Sequence, residues 1–352
     1  MYGSLLILIL LLSACGTATE ARNRSAGQSD TTPLVHFPED QASHPHVANE
    51  WWYVVGHVRA GRRTFGYEVT IFKFNHVQPQ GFSAPVSLFR TDVAITDEAS
   101  GRFLHHITYY FPQSATLSAT TLDERVGNAA IYGSSPRAMT LRASFKAASI
   151  KLNLSSQRGP MYVGGRGYLP FGNGFTYYYS LTDLATIGSL RVGSETFSVR
   201  GISWLDHQWG TWSWSDIRGW TWMAWQLGNG TQMSVFDFRG KTNHVKAASV
   251  LLRNGRLLTL RDVTIESVGS WRSPHSGAVY PSGWKVRIPA LQVLMRVEPT
   301  VRDQEMVIPS QLPASYWEGS TRLQGRFMGK SVSGLGYTEL TGYAGHGQHG
   351  SG

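Results

Sequence analysis

Beyond His36 the chain is a succession of short apolar and aromatic runs separated by Gly, Asn, Asp and Pro. In residues 64–74, Phe65, Tyr67, Val69 and Ile71 alternate with Thr64, Gly66, Glu68 and Thr70, the period of two that puts successive side chains on opposite faces of a strand. Residues 51–58 lie just before it across the turn Arg59-Ala60-Gly61-Arg62, so the pair predicts a β-hairpin. The same design recurs in residues 220–227 and 231–239 around Gly228-Asn229-Gly230. There Met233, Val235 and Asp237 are expected on one face, with Ser234, Phe236 and Phe238 on the other. Similar runs continue to residue 341, and no amphipathic helix longer than about 12 residues is evident. The pattern predicts an all-β protein of barrels or sandwiches. The repeated hairpin predicts two modules, residues 33–200 and 201–343, followed by a disordered tail, 344–352, in which His346 and His349 are solvated.

The N-terminus breaks this pattern. Residues 5–12 are unbroken Leu and Ile, too short for a bilayer span of roughly 20 residues but fitting the apolar core of a signal peptide. Leu12-Ser13-Ala14-Cys15 follows and resembles a bacterial lipobox, which implies cleavage after residue 14 and lipidation of Cys15. Residues 15–32 are small and polar and read as a flexible tether. The expected location is the cell envelope, lipid-anchored, on the outer membrane or periplasmic face if the host has two membranes.

Composition narrows the chemistry. Cys15 is the only cysteine among 352 residues, which excludes an intramolecular disulfide framework and Cys-based metal centres. Net charge is +9, yet 25 of the 32 basic residues are Arg scattered along the chain, and Arg62-Arg63 is the only adjacent pair. A nucleic-acid binder concentrates such charge in a stripe, so no nucleic-acid partner is expected. Charged residues make up 16% against roughly 25% in an average domain. With 12 Trp, 15 Tyr and 15 Phe, the chain has ample material for an apolar interior.

Several segments carry a family signal: Glu50-Trp51-Trp52-Tyr53, Tyr177-Tyr178-Tyr179-Ser180, residues 204–210 (WLDHQWG), Asp303-Gln304-Glu305, Tyr316-Trp317-Glu318-Gly319, and residues 334–343 (GLGYTELTGY). In this order they resemble the AttH-like proteins, grouped with the carotenoid 1,2-hydratases and pericyclase relatives, over residues 33–343. The resemblance implies two consecutive lipocalin-like β-barrels around an apolar pocket, no cofactor, and in some members an ABC-transporter partner. Neither G-x-S-x-G nor H-E-x-x-H occurs in the chain.

The carotenoid hydratases carry H-x-W followed by Y-x-D. His207 and Trp209 match the first motif; Asp237 matches the acid of the second, with Val235 where its tyrosine would stand. The resemblance implies protonation of an alkene and capture of the cation by water. Desolvation raises a carboxylic acid's pKa, and a Trp face stabilises a cation. His207, Trp209, Asp237 and the neighbouring Asp206 are therefore the candidate catalytic residues. Trp51, Trp52, Tyr53, Tyr178, Trp222 and Trp225 are the candidate pocket walls, and Glu50 is expected to pair with an Arg. Glu318, Glu339 and Tyr343 are expected to pack a terminal strand. His44, His46 and Glu50 have the composition of metal ligands, but no metal is expected from that spacing. Two functions stay open: hydratase- or isomerase-type chemistry on an apolar small molecule, and non-catalytic binding of such a molecule beside an envelope transporter. A third, attachment through an exposed aromatic surface, is weaker.

Overall fold

The computed structural model describes residues 32–78, 83–308 and 315–344. The apolar leader, Cys15, most of the tether and the tail beyond Ala344 lie outside the described residues.

The all-β expectation holds: among the described residues the only helical turns are four short 3-10 segments. Both predicted hairpins form, Asn49–Ala60 with Arg63–Val77 and Ile217–Leu227 with Gln232–Gly240. The first belongs to a 13-stranded antiparallel sheet that curls into a nearly closed barrel, and the second to a 10-stranded sheet forming a half-barrel. Each sheet has its own apolar core. Val69, Ile71, Leu152 and Leu205 contribute to the first; Met233, Val235, Trp284 and Trp317 contribute to the second.

Burial patterns show how the sheets meet. Ala148–Ser156 alternates between inward and outward positions, as a strand with one wet face must. Asn49–Ala60 is instead buried at nearly every position, and so is Glu195–Thr211 from Ser203 to Gly210. One face of these strands fills the barrel, and the other packs against the second sheet. The joint is aromatic, with Tyr53, Met161 and Trp204 meeting Trp222, Leu251 and Tyr337. Polar ties cross it as well. Gln226 Nε2 donates to the carbonyls of Thr182 and Ser203 at 2.8 and 3.0 Å, and His57 Nε2 lies 2.9 Å from the Gly336 carbonyl.

A boundary at residue 200 falls inside one continuous strand. Glu195–Thr211 pairs along its length with Asn49–Ala60 and Gly174–Val192, so the chain changes sheet only around Trp214–Asp216. Gly201 is not a turn. A Cβ there would lie 1.9 Å from the His57 carbonyl oxygen, so glycine serves close strand approach. The described residues from Pro33 onward form one compact unit.

Candidate functional site

The joint encloses a cavity of about 200 Å³ whose walls come from both sheets. Trp51, Tyr53, Tyr178, Asp206 and Gln208 face it from the first sheet; Trp220, Trp222, Phe236, Phe238 and Glu339 face it from the second. Strand geometry explains the selection. In Glu195–Thr211, Asp206 and Gln208 point to the cavity while His207 and Trp209 point into the barrel.

Two carboxyl groups stand in this aromatic surround. Asp206 is nearly fully buried; its Oδ1 accepts from Trp204 Nε1 at 2.6 Å and its Oδ2 from the Tyr178 hydroxyl. The Tyr178 oxygen in turn accepts from Trp222 Nε1 at 3.0 Å. Burial pushes the Asp206 carboxyl up to about 7, against the pull of its hydrogen bonds from Tyr178 and Trp204. Glu339 is the second. Burial pushes it up to about 7 as well, opposed by the hydrogen bond from Trp220 Nε1 to Oε2 at 2.8 Å and by the charge of Arg90; Asp206 and Asp92 push the same way as burial. Two carboxyls poised near neutrality in an apolar cavity can exchange protons with a ligand. Behind Glu339, the cross-strand neighbour Glu318 accepts from the Tyr53 hydroxyl at 2.7 Å, and burial holds its carboxyl well above the usual range.

The sequence-derived candidates separate into three groups. Trp51, Tyr53, Tyr178, Asp206 and Trp222 reach the cavity. Trp52, His207 and Trp209 lie on the barrel side of their strands. The ring of His207 stacks on Trp52 at 4.7 Å and contacts Trp209 at 4.6 Å, and His207 Nε2 is 3.1 Å from Glu50 Oε1. Glu50 pairs with Lys73 rather than an Arg, at 2.5 Å. Trp225 is buried in the core of the second sheet, and Asp237 pairs with His244 and Lys246 at 2.5 and 3.6 Å. His207 and Trp209, named with Asp237 as catalytic candidates, therefore do not meet it in one cavity. The period of two puts Phe236 and Phe238 on the cavity and turns Asp237 to the other face.

Sequence reasoning missed Glu339, Trp220, Gln208, Phe236 and Phe238 as cavity residues. The signal available for the phenylalanines was their shared face in residues 231–239. For Glu339 it was the family-like segment 334–343, which marks the strand but not what it faces.

Comparison with known proteins agrees with this architecture. A family model described as AttH-like matches residues 28–343. The crystal structure of a protein assigned as AttH from Nitrosomonas europaea superposes with a TM-score of 0.77 at 25% identity, covering 88% of this chain and 97% of that one. Kievitone hydratase from Nectria haematococca shares the fold, with a TM-score of 0.72 at 20% identity over 88% and 94% of the two chains. Dehydratase asqC of Emericella nidulans is 24% identical over 218 residues, 57% of this chain and 60% of that relative. The match to the family model over nearly the whole described chain, on a two-sheet lipocalin-like fold shared with a solved AttH structure, makes this protein a member of the AttH-like family.

Proposed function

We propose that the protein binds an apolar, unsaturated small molecule in the cavity between its sheets and adds or removes water across a carbon–carbon double bond. The observation that carries this reading is the placement of Asp206–Tyr178 and Glu339 on one aromatic-walled cavity. The hydratase and dehydratase among its relatives support it.

Glu339 is the proton donor in this reading, because Trp220 engages Oε2 and Oε1 is left for a ligand. It protonates one alkene carbon, and the faces of Trp220 and Trp222 steady the cation that develops on the other. Water adds there; its proton leaves through the Tyr178 hydroxyl to Asp206, which releases one to solvent as Glu339 takes one up. The product carries one new C–H and one new C–OH bond, and the reverse sequence is dehydration. Asp206 is suited to the accepting role because both of its oxygens already receive hydrogen bonds.

The test is turnover of a panel of polyenes and unsaturated phenolic polycycles, followed by mass spectrometry in ¹⁸O-labelled water. Glu339→Gln and Asp206→Asn are expected to lose about 10²–10⁴-fold in rate while still binding the substrate. Unchanged turnover in both variants would remove the mechanism. Binding without turnover by the wild type would leave the cavity as a carrier site for an envelope transporter.

Envelope attachment through Cys15 belongs to the same proposal and is supported by residues 5–15 of the sequence. Cys15→Ala is expected to move the protein from the membrane to the soluble fraction. Unaltered fractionation, with no lipid found on Cys15 in the wild type, would contradict it.

A further inference from the structure

On the barrel side of the strand that carries Asp206, three side chains distant in sequence converge. His44 precedes the first strand, Glu50 begins it, and His207 comes from Glu195–Thr211, the neighbouring strand. His44 Nδ1 lies 2.7 Å and His207 Nε2 3.1 Å from the same oxygen, Glu50 Oε1. One ligand atom from each residue falls within 4.8 Å of the other two.

Glu50 Oε1 accepts from the His44 backbone N–H at 3.0 Å, but the His207 ring has no hydrogen to offer it. His207 Nδ1 lies 3.0 Å from the backbone carbonyl of Asp40, which only accepts, so Nδ1 carries the ring hydrogen. In the neutral ring Nε2 is then a lone pair, and it faces a carboxylate oxygen. His44 faces two carboxylates, Asp40 Oδ1 from Nε2 at 3.2 Å and Glu50 Oε1 from Nδ1, and satisfies both only as a doubly protonated ring, so the unmet contact is that of His207. A cation placed among the three inner atoms gives the His207 lone pair a partner and takes the place of the proton on His44 Nδ1. Each ring would then coordinate with one nitrogen and donate from the other, His44 to a carboxylate and His207 to a carbonyl. This is the pattern of outer hydrogen bonds that accompanies metal-ligating histidines.

The surroundings fix the ligands in place. Lys73 Nζ and Ser43 Oγ hold Glu50 Oε2 at 2.5 and 3.0 Å, aiming Oε1 at the two rings. The rings are seated on indoles: His207 on Trp52, and His44 parallel to Trp209 at 4.1 Å. Glu50 and His207 are fully buried, while the His44 side chain is 22% exposed and opens a route from solvent.

We propose that His44, Glu50 and His207 form a binding site for a borderline divalent transition-metal ion of the zinc class, with one coordination position open on the His44 side. The ion lies on the opposite face of the strand from the cavity, so its role is structural. It clamps the segment around Glu39–Gln41 and His44 onto the barrel and stiffens the strand that presents Asp206.

The test needs no substrate. The full chain is stripped with a chelator, checked for folding by circular dichroism, and titrated with Zn²⁺ by calorimetry; Co²⁺ is then added to read its d–d absorption. The expected result is one ion per chain, a Co²⁺ spectrum of nitrogen and oxygen ligation, and a higher Tm with metal. His44→Ala should weaken binding at least tenfold, and the exposed His46→Ala should leave it unchanged. His207→Gln serves as a second variant. Absence of stoichiometric Zn²⁺ uptake by the folded wild type, or equal losses in His44→Ala and His46→Ala, would overturn the proposal.

Discussion

The Tyr178 hydroxyl stands between two groups that otherwise have poor alternatives. It accepts from Trp222 Nε1 and donates to Asp206 Oδ2, and all three residues are buried. Tyr178→Phe keeps the ring and removes that link, leaving an indole N–H and a carboxyl oxygen without their partner. The expected cost is about 1–3 kcal/mol, seen as a lower urea midpoint with an unchanged m-value. An unshifted midpoint would show that the two groups find other partners. Tyr178 and Asp206 could be named from sequence because both lie in segments that carry the family signal, and a strand's alternation gives each a side. What that side faces could not be read there. Glu339 lies in a segment recognisable as a strand, yet its value depends on a cavity built by residues far away in the chain, Trp51 and Asp206 among them.

At the scale of elements, both hairpins were legible, since alternation and glycine-rich turns are local properties. The strands at the joint were harder. Ala148–Ser156 shows its period plainly, but Asn49–Ala60 is buried on both faces, and two-sided burial erases the contrast between inward and outward positions. Asp237 rests on a motif match, against an alternation that sets it beside Met233 and Val235; the loss of contrast accounts for the aromatic error. Trp51, Trp52 and Tyr53 read as one aromatic group, although Trp52 turns into the barrel while its neighbours line the cavity. His207 and Glu50 are 157 residues apart in sequence, and only the pairing of their strands brings them to 3.1 Å. The sequence offered His46 as the second imidazole beside His44 because it was near in the chain; the fold supplies His207.

Across the whole molecule, the joint between the sheets holds more acid than base. Glu68 and Asp92 from the first sheet lie near Glu318 and Glu339 from the second, with Arg90 bonded to Asp92 at 2.9 Å. The Tyr316 hydroxyl spans the joint to Asp92 at 2.6 Å, and Thr70 donates to Glu68 at 2.7 Å. Burial first, then mutual repulsion, raises Glu68 and Glu318 well above the ordinary 4.5. A carboxyl raised on folding contributes its full share of stability below its unfolded value and loses it as pH rises through the folded one. Stability is therefore expected to fall as pH climbs from about 5 to 8, by up to about 1.4 kcal/mol per pH unit for each such group. Glu318→Gln, which can still accept from Tyr53, should flatten that slope. Denaturation curves across this range decide the matter, and parallel slopes for the two proteins would refute it.

The strand Glu195–Thr211 divides its side chains between two unrelated environments, Asp206 and Gln208 to the cavity and His207 and Trp209 to the barrel. Substitution changes one of these environments at a time. Inserting or deleting a single residue between Ser203 and Gly210 would exchange them all, sending the imidazole to the cavity and the aspartate into the barrel. This stretch can therefore drift in identity but not in length.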